Sequence, residues 1–289
     1  MLSNSIRCIA MRLKDRLSSL SHPQVMAIVN VTPDSFFDGS RTWDEQSIAE
    51  RVKRVVAEGA TIIDIGGYSS RPGAADVSPE EEIARVERAL AVVKDVAKDV
   101  MVSVDTFRAC VAQRAIEMMG EVIVNDISAG EADGAMVVDV VAHYAVPYVA
   151  MHMRGTPQTM QSNTSYERGI VEEISTYFDR KIEWLHERGV KDIILDPGFG
   201  FAKSLEQNYE LLAGLDTLCK KGFPVLAGLS RKSMIYNLLG VTPAQALNGS
   251  TALHWEAVRQ GATILRVHDV REAVEVVKLY DEYKKRLPR

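Results

Sequence analysis

Residues 61–106 read TIIDIGGYSSRPGAADVSPEEEIARVERALAVVKDVAKDVMVSVDT. A β-branched run, Thr61–Gly67, leads into a loop rich in Gly, Pro and Ser. Ser78–Pro79–Glu80–Glu81 is then a helix start signal. Ile83, Val86, Leu90, Val93 and Ala97 follow near helical spacing, and a second β-branched run, Met101–Thr106, closes the segment. Two apolar strands joined by a crossover helix make a parallel βαβ unit whose sheet is covered on both faces.

The same alternation runs outward in both directions. Further strand candidates are Val25–Val31, Glu121–Ile127, Pro147–Met153, Asp192–Pro197, Pro224–Leu229 and Thr263–Val267. Amphipathic stretches lie between them, such as DEQSIAERVKRVVAEG, from Asp44, and SYERGIVEEISTYFDRKIEWLHERG, which ends at a C-cap glycine, Gly189. Eight βα units in a row predict a single (β/α)8 TIM barrel over residues 25–289, with residues 1–24 as an N-terminal extension. An open doubly wound sheet is the rival arrangement.

The bulk properties limit the function. A net charge of −5 leaves no footprint for nucleic acid or an acidic membrane surface, though a local basic pocket for a small anion is compatible with it. Cys8, Cys110 and Cys219 are far apart and in no metal-ligand spacing, so they read as reduced thiols of a cytoplasmic protein. No apolar run is long enough to cross a bilayer, and the first residues mix Arg, Lys and Asp with apolar residues, unlike a signal peptide.

Polar residues gather where the strands finish: Asn30, Asp64, Asp105, Asn125–Asp126, His152, Asp196, Ser230–Arg231–Lys232 and Arg266–His268. Any one Asp or Asn at such a place is explained as the cap of the next helix. Lys, Arg and His are not, and in a barrel these strand ends converge on one mouth. Asp105, Asn125 and Asp196 suit a flat, nitrogen-rich heterocycle, because carboxylates accept from N–H groups and an amide both donates and accepts. Arg266 and His268, with backbone N–H groups at a helix start, suit a phosphate or pyrophosphate. The plainer readings are a solvated loop for Ser230–Ser233 and a strand-end salt bridge for Arg266. Two long loops, one after Asn30 and one after Gly66, read as lids.

The motifs NVTPDSFFDG, DIGGYSSRPGA, VNDISAG, MHMRGTPQTMQ, DPGFGFAKS, GLSRKSMI, NGSTA and RVHDV occur in this order along the chain. Together they resemble the dihydropteroate synthase family over essentially Val25 to Lys285. The resemblance implies a magnesium-dependent transferase of folate biosynthesis, the target of sulfonamides. It joins 6-hydroxymethyl-7,8-dihydropterin pyrophosphate to p-aminobenzoate, giving 7,8-dihydropteroate and pyrophosphate. By motif, Asp105, Asn125, Met151, Asp196 and Lys232 match the pterin pocket. Arg266, His268 and Asn30 match the pyrophosphate and Mg2+ site, with Asn30 the metal ligand. Phe36, Arg71, Pro72, Phe201, Lys232 and Ser233 match the pocket of the second substrate, where Phe36 would wall an aromatic ring. Asp34 and Ser70 lie in the two mobile loops. Asp105, Lys232 and Arg266 are the expected catalytic residues, and a homodimer is the expected assembly.

Two departures from the family pattern stand out. Tyr68 occupies the place of a usual Glu, and Ala202–Lys203–Ser204 replaces Gly-Lys-Thr. Two other readings stay open at this point. One is a pterin-binding barrel that passes a methyl group to a corrinoid protein. The other is a paralogue that binds a pterin without catalysis.

Overall fold

The computed structural model describes residues 22–32, 45–68, 77–156, 159–160 and 163–287. Eight parallel strands make one sheet. They are β1 (Gln24–Asn30), β2 (Ile62–Gly66), β3 (Met101–Asp105), β4 (Ile123–Asp126), β5 (Tyr148–Met151), β6 (Ile193–Asp196), β7 (Leu226–Ala227) and β8 (Ile264–Val267). Each pairs with its neighbours in chain order, and β8 returns to β1. A single bridge, Leu195 to Val225, joins β6 to β7 and closes the ring. The fold is the expected (β/α)8 barrel, not the open sheet.

All eight expected strands are present, and each observed strand is shorter than expected or shifted by a residue at its ends. β7 shrinks most, to Leu226–Ala227, because its neighbour β6 meets it at one bridge only. The helix expected after Ser78 spans Pro79–Val96, with the Ser78 hydroxyl accepting from the Glu81 N–H at 3.2 Å. The long helix before Gly189 spans Ile170–Glu187, and Gly189 follows it at φ +89°, where a side chain is strained.

Strand periodicity explains how the barrel is filled. Met26, Ile62, Met101, Ile123, Val149, Ile194, Leu226 and Ile264, one from each strand, form an apolar layer inside it. The alternate positions, such as Val29, Ile63, Val104, Val124 and Leu195, face outward into the larger core shared with the helices. Two residues beyond the apolar layer the inward positions become Ile28, Asp64, Ser103, Asn125, Met151, Asp196, Gly228 and Arg266. The barrel therefore has an apolar floor and, one step toward its C-terminal mouth, a polar second layer.

Candidate active site

Asp64 is the hub of that second layer. It is fully buried, and its two oxygens accept from Ser103 Oγ at 2.6 Å, Asn125 Nδ2 at 3.2 Å and Arg266 Nε at 2.6 Å. Arg266 Nη2 donates to Asp105 Oδ2, also at 2.6 Å. One guanidinium thus bridges carboxylates on β2 and β3 from β8. Burial works against its charge, but Asp64 and Asp105 outweigh burial and hold Arg266 above its ordinary value. Burial pushes the Asp105 carboxyl up to about 7, against the pull of Arg266. The strand-end salt bridge expected as the plain reading of Arg266 is therefore real, and it sits inside the site.

Above this ring lies a cavity of about 550 Å³. Asn30, Asp105, Phe201, Lys232, Ser233, Arg266 and His268 all line it. Seven expected site residues from β1, β3, β6–β8 and their following loops are thus brought to one wall. Asn125, Met151 and Asp196 are buried in the second layer on the β4–β6 side, at 3%, 4% and 6% exposure. Asp34, Phe36, Ser70, Arg71 and Pro72 lie outside the described residues.

Lys232 connects the cavity wall to the second layer. Its Nζ donates to the Phe199 carbonyl and lies 4.6 Å from the centroid of the Phe201 ring. Burial pushes its ammonium down to about 8, against the pull of the Asp196 carboxylate. Asp196 itself is pushed up by burial, opposed chiefly by Lys232, and its Oδ1 accepts from the Gly198 N–H at 2.7 Å. His268 Nδ1 lies 3.1 Å from Ser230 Oγ, so β7 and β8 are tied together at the mouth.

The capping explanation holds only in part. Asp126 folds its loop back, accepting from Ser128 N–H at 2.7 Å and Gly130 N–H at 2.8 Å, and it takes the Tyr148 hydroxyl at 2.6 Å. Asp64 and Asp105 make no such local bonds among those observed. They face across the barrel.

Sequence reasoning placed Asp64 among the polar strand ends but gave it no role. Its position within TIIDIG, two residues after an inward Ile62, was the available signal. Glu82 was missed. It is fully buried in the helix that follows β2, accepts from Thr106 Oγ1 at 2.6 Å and pairs with Arg108 at 2.7 Å. The Arg108 guanidinium lies over both Tyr68 and Phe107, whose rings meet edge to face at 5.2 Å. Where the family pattern has a Glu, this chain has an aromatic–cation stack anchored on Glu82, and Tyr68 lines the cavity.

Among the described residues no group of three or more His, Cys, Asp or Glu has a metal-binding arrangement. Mg2+ does not require one, since it keeps several waters and is commonly held by one or two protein oxygens plus substrate phosphates. The Asn30 amide oxygen fits that donor set. Gly66 leaves it open, because a Cβ there would come within 3.0 Å of Asn30 Oδ1.

A profile of the family described as pterin binding enzyme matches residues 26–268. The dihydropteroate synthase of Escherichia coli K12 is 44% identical over 269 residues, covering 91% of this chain and 92% of that protein. The Haemophilus influenzae dihydropteroate synthase is 41% identical, covering 90% and 94%. The Yersinia pestis dihydropteroate synthase, solved with a sulfonamide drug complex, superposes with a TM-score of 0.84 at 41% identity over 92% of this chain and 95% of that one. The Xanthomonas albilineans enzyme, solved with 4-aminobenzoic acid, gives 0.83 at 39% identity, over 93% and 95%. With its barrel, its polar second layer and these relatives, the chain belongs to the pterin-binding enzymes and, within them, to the dihydropteroate synthase family.

Proposed function

We propose that the basin at the C-terminal mouth performs the family's condensation with the following division of labour. The reaction joins 6-hydroxymethyl-7,8-dihydropterin pyrophosphate and p-aminobenzoate, releasing pyrophosphate. Asp196 and Asn125 hold the pterin ring by its N–H and carbonyl edge, over Met151, with Lys232 at the rim. Asp105 faces the methylene carbon. As the C–O bond to pyrophosphate breaks, that carbon becomes cationic, and a fixed carboxylate offsets the charge. Arg266 and His268 receive the leaving pyrophosphate. Asn30 would hold Mg2+, which supplies charge neutralisation for the leaving group when bound.

The arylamine of p-aminobenzoate is neutral near pH 7 and needs orientation more than a base. Phe201, Lys232 and Ser233 line the wall where it would lie, and Arg71, Pro72 and Phe36 are proposed to complete that pocket. Sulfonamides are proposed to occupy the same place, supported by the drug complex of the Yersinia relative.

The observation that carries this reading is the second layer, where Asp64, Asn125 and Arg266 form one connected polar network directly above an apolar floor, extended toward the mouth by Asp105. A network of that kind, open to a cavity with a Lys and a His, suits a nitrogen-rich heterocycle that carries an anionic group. The test is a steady-state assay of pyrophosphate release with and without p-aminobenzoate. Release should depend on p-aminobenzoate, and absence of release under both conditions would leave a pterin-binding protein without the reaction.

We also propose a homodimer. Leu279, Tyr283 and Leu287 are exposed large apolar residues of the last helix, Val270–Lys284, and the turn after it. Trp255 packs against Tyr280 and Tyr283 there, which gives the face a rigid aromatic base. A cytoplasmic setting is supported by the reduced-thiol reading of the cysteines, and Cys110 and Cys219 are free.

A further inference from the structure

Lys203 is a buried lysine that the reaction scheme does not use. It is 4% exposed, yet its ammonium meets three acceptors: the Gly198 carbonyl at 2.8 Å, the Phe201 carbonyl at 2.8 Å and His152 Nδ1 at 3.2 Å. Burial pulls Lys203 well below its ordinary value, opposed by the Asp196 carboxylate, and three acceptors, one for each N–H of an ammonium, favour the charged form. Burial and the positive charge of Lys203 keep His152 neutral, well below its ordinary value, which leaves Nδ1 free to accept.

The chain is bent to make this arrangement. Gly198, Gly200 and Ala202 all have positive φ, at +69°, +80° and +52°. A Cβ at Gly198 would lie 2.1 Å from the His152 carbonyl oxygen, so only glycine fits. Ala202 takes the left-handed region despite its side chain, a strained conformation for an L residue. The alternating bends turn carbonyls inward onto Lys203 Nζ. Two polar groups left on the outside serve the site, Gly198 N–H binding Asp196 and Phe199 C=O accepting from Lys232 Nζ, while Gly200 N–H is held to the next helix by Asn208 Oδ1 at 2.7 Å. The Phe201 ring faces the cavity.

We propose that Lys203 is a positioning residue: its ammonium is the template around which residues 197–203 fold, and it thereby sets Asp196 for the pterin and Phe201 for the arylamine. His152, the residue after Met151, ties that template to the end of β5. This rests on the assignment of Asp196 and Asn125 to the pterin pocket.

The test compares the wild-type chain with Lys203→Met, Lys203→Ala and the pocket control Asn125→Ala. Lys203→Met keeps much of the volume and removes the charge. Its Kd for dihydropterin pyrophosphate and its KM for p-aminobenzoate should each rise roughly tenfold or more, with a smaller change in kcat. Propylammonium added to Lys203→Ala should restore pterin affinity, and 1-propanol, which fills the space without the charge, should not. A loop that is merely packed would be served by the alcohol as well as by the amine. Wild-type affinities in Lys203→Met, or rescue by the alcohol, would overturn the proposal. If Asn125→Ala binds the pterin like wild type, the pocket assignment fails instead. Should the Lys203 variants not fold, nitrogen-15 lysine NMR of the wild-type chain decides: the proposal expects a slowly exchanging, protonated Nζ at neutral pH, and a neutral amine contradicts it.

Discussion

Asp105 and Lys232 are two groups of the basin whose proton affinities burial moves toward neutrality, one up to about 7 and the other down to about 8. The signs set a pH profile. Below about pH 7 Asp105 carries a proton and no longer offsets a developing cation, and above about pH 8 Lys232 loses its charge. The kcat/KM for dihydropterin pyrophosphate should therefore be bell-shaped, highest between these values. Lys232→Arg should lose the alkaline limb, and a wild-type profile flat from about pH 6 to about pH 9 would refute the assignment. Arg266 has a double task that the sequence alone did not reveal. Arg266→Met leaves the buried Asp64 carboxylate without its cation, at a cost of roughly 3–5 kcal/mol in stability. Adding Asp64→Asn should recover much of the melting temperature and none of the affinity for the pyrophosphate substrate, whereas a purely structural Arg266 would regain both. The residue types at the site were legible because Lys, Arg and His have no reason to end buried strands. The pairing of Arg266 with Asp64 was not, since 202 positions separate them and only barrel closure brings β8 beside β1 and β2.

The helices carry a different sensitivity. His254 lies in the helix Leu247–Arg259, is 2% exposed, and its Nε2 has no hydrogen-bond partner among the described residues. Burial pushes it down to about 4, with Asp269 opposing. The unfolded chain takes up the proton near pH 6.5 and the folded chain does not until about pH 4, so stability is full above that window and lost as pH falls through it. The loss amounts to about 3 kcal/mol. His254→Leu should flatten the fall of melting temperature over that window, and an unchanged slope would mean that another group governs acid sensitivity. Helix positions were readable from caps and periodicity, as with Ser78 and Gly189. The shape of the β6–α connection was not, because nothing local announces that Gly198, Gly200 and Ala202 wrap a lysine.

At the scale of the whole molecule, the count of eight alternating units determined the architecture, and the period of two within strands determined where polarity could enter the barrel. What escaped was depth: Asp64 and Ser103 belong to the same layer as Asn125 and Asp196, although they are not the last residues of their strands. The exposed apolar face of the last helix gives a whole-molecule prediction. In the proposed homodimer, Leu279→Glu should shift sedimentation from dimer to monomer while the melting transition survives, and sedimentation unchanged by the substitution would contradict an interface on this face. In the proposed function the second layer recognises a pterin. Calorimetry of Asp196→Asn against dihydropterin pyrophosphate tests this most directly, since the amide must present an N–H where the carboxylate accepted one. Binding should weaken by on the order of 2–4 kcal/mol with the melting temperature near wild type; wild-type affinity for the pterin pyrophosphate would contradict this role of Asp196.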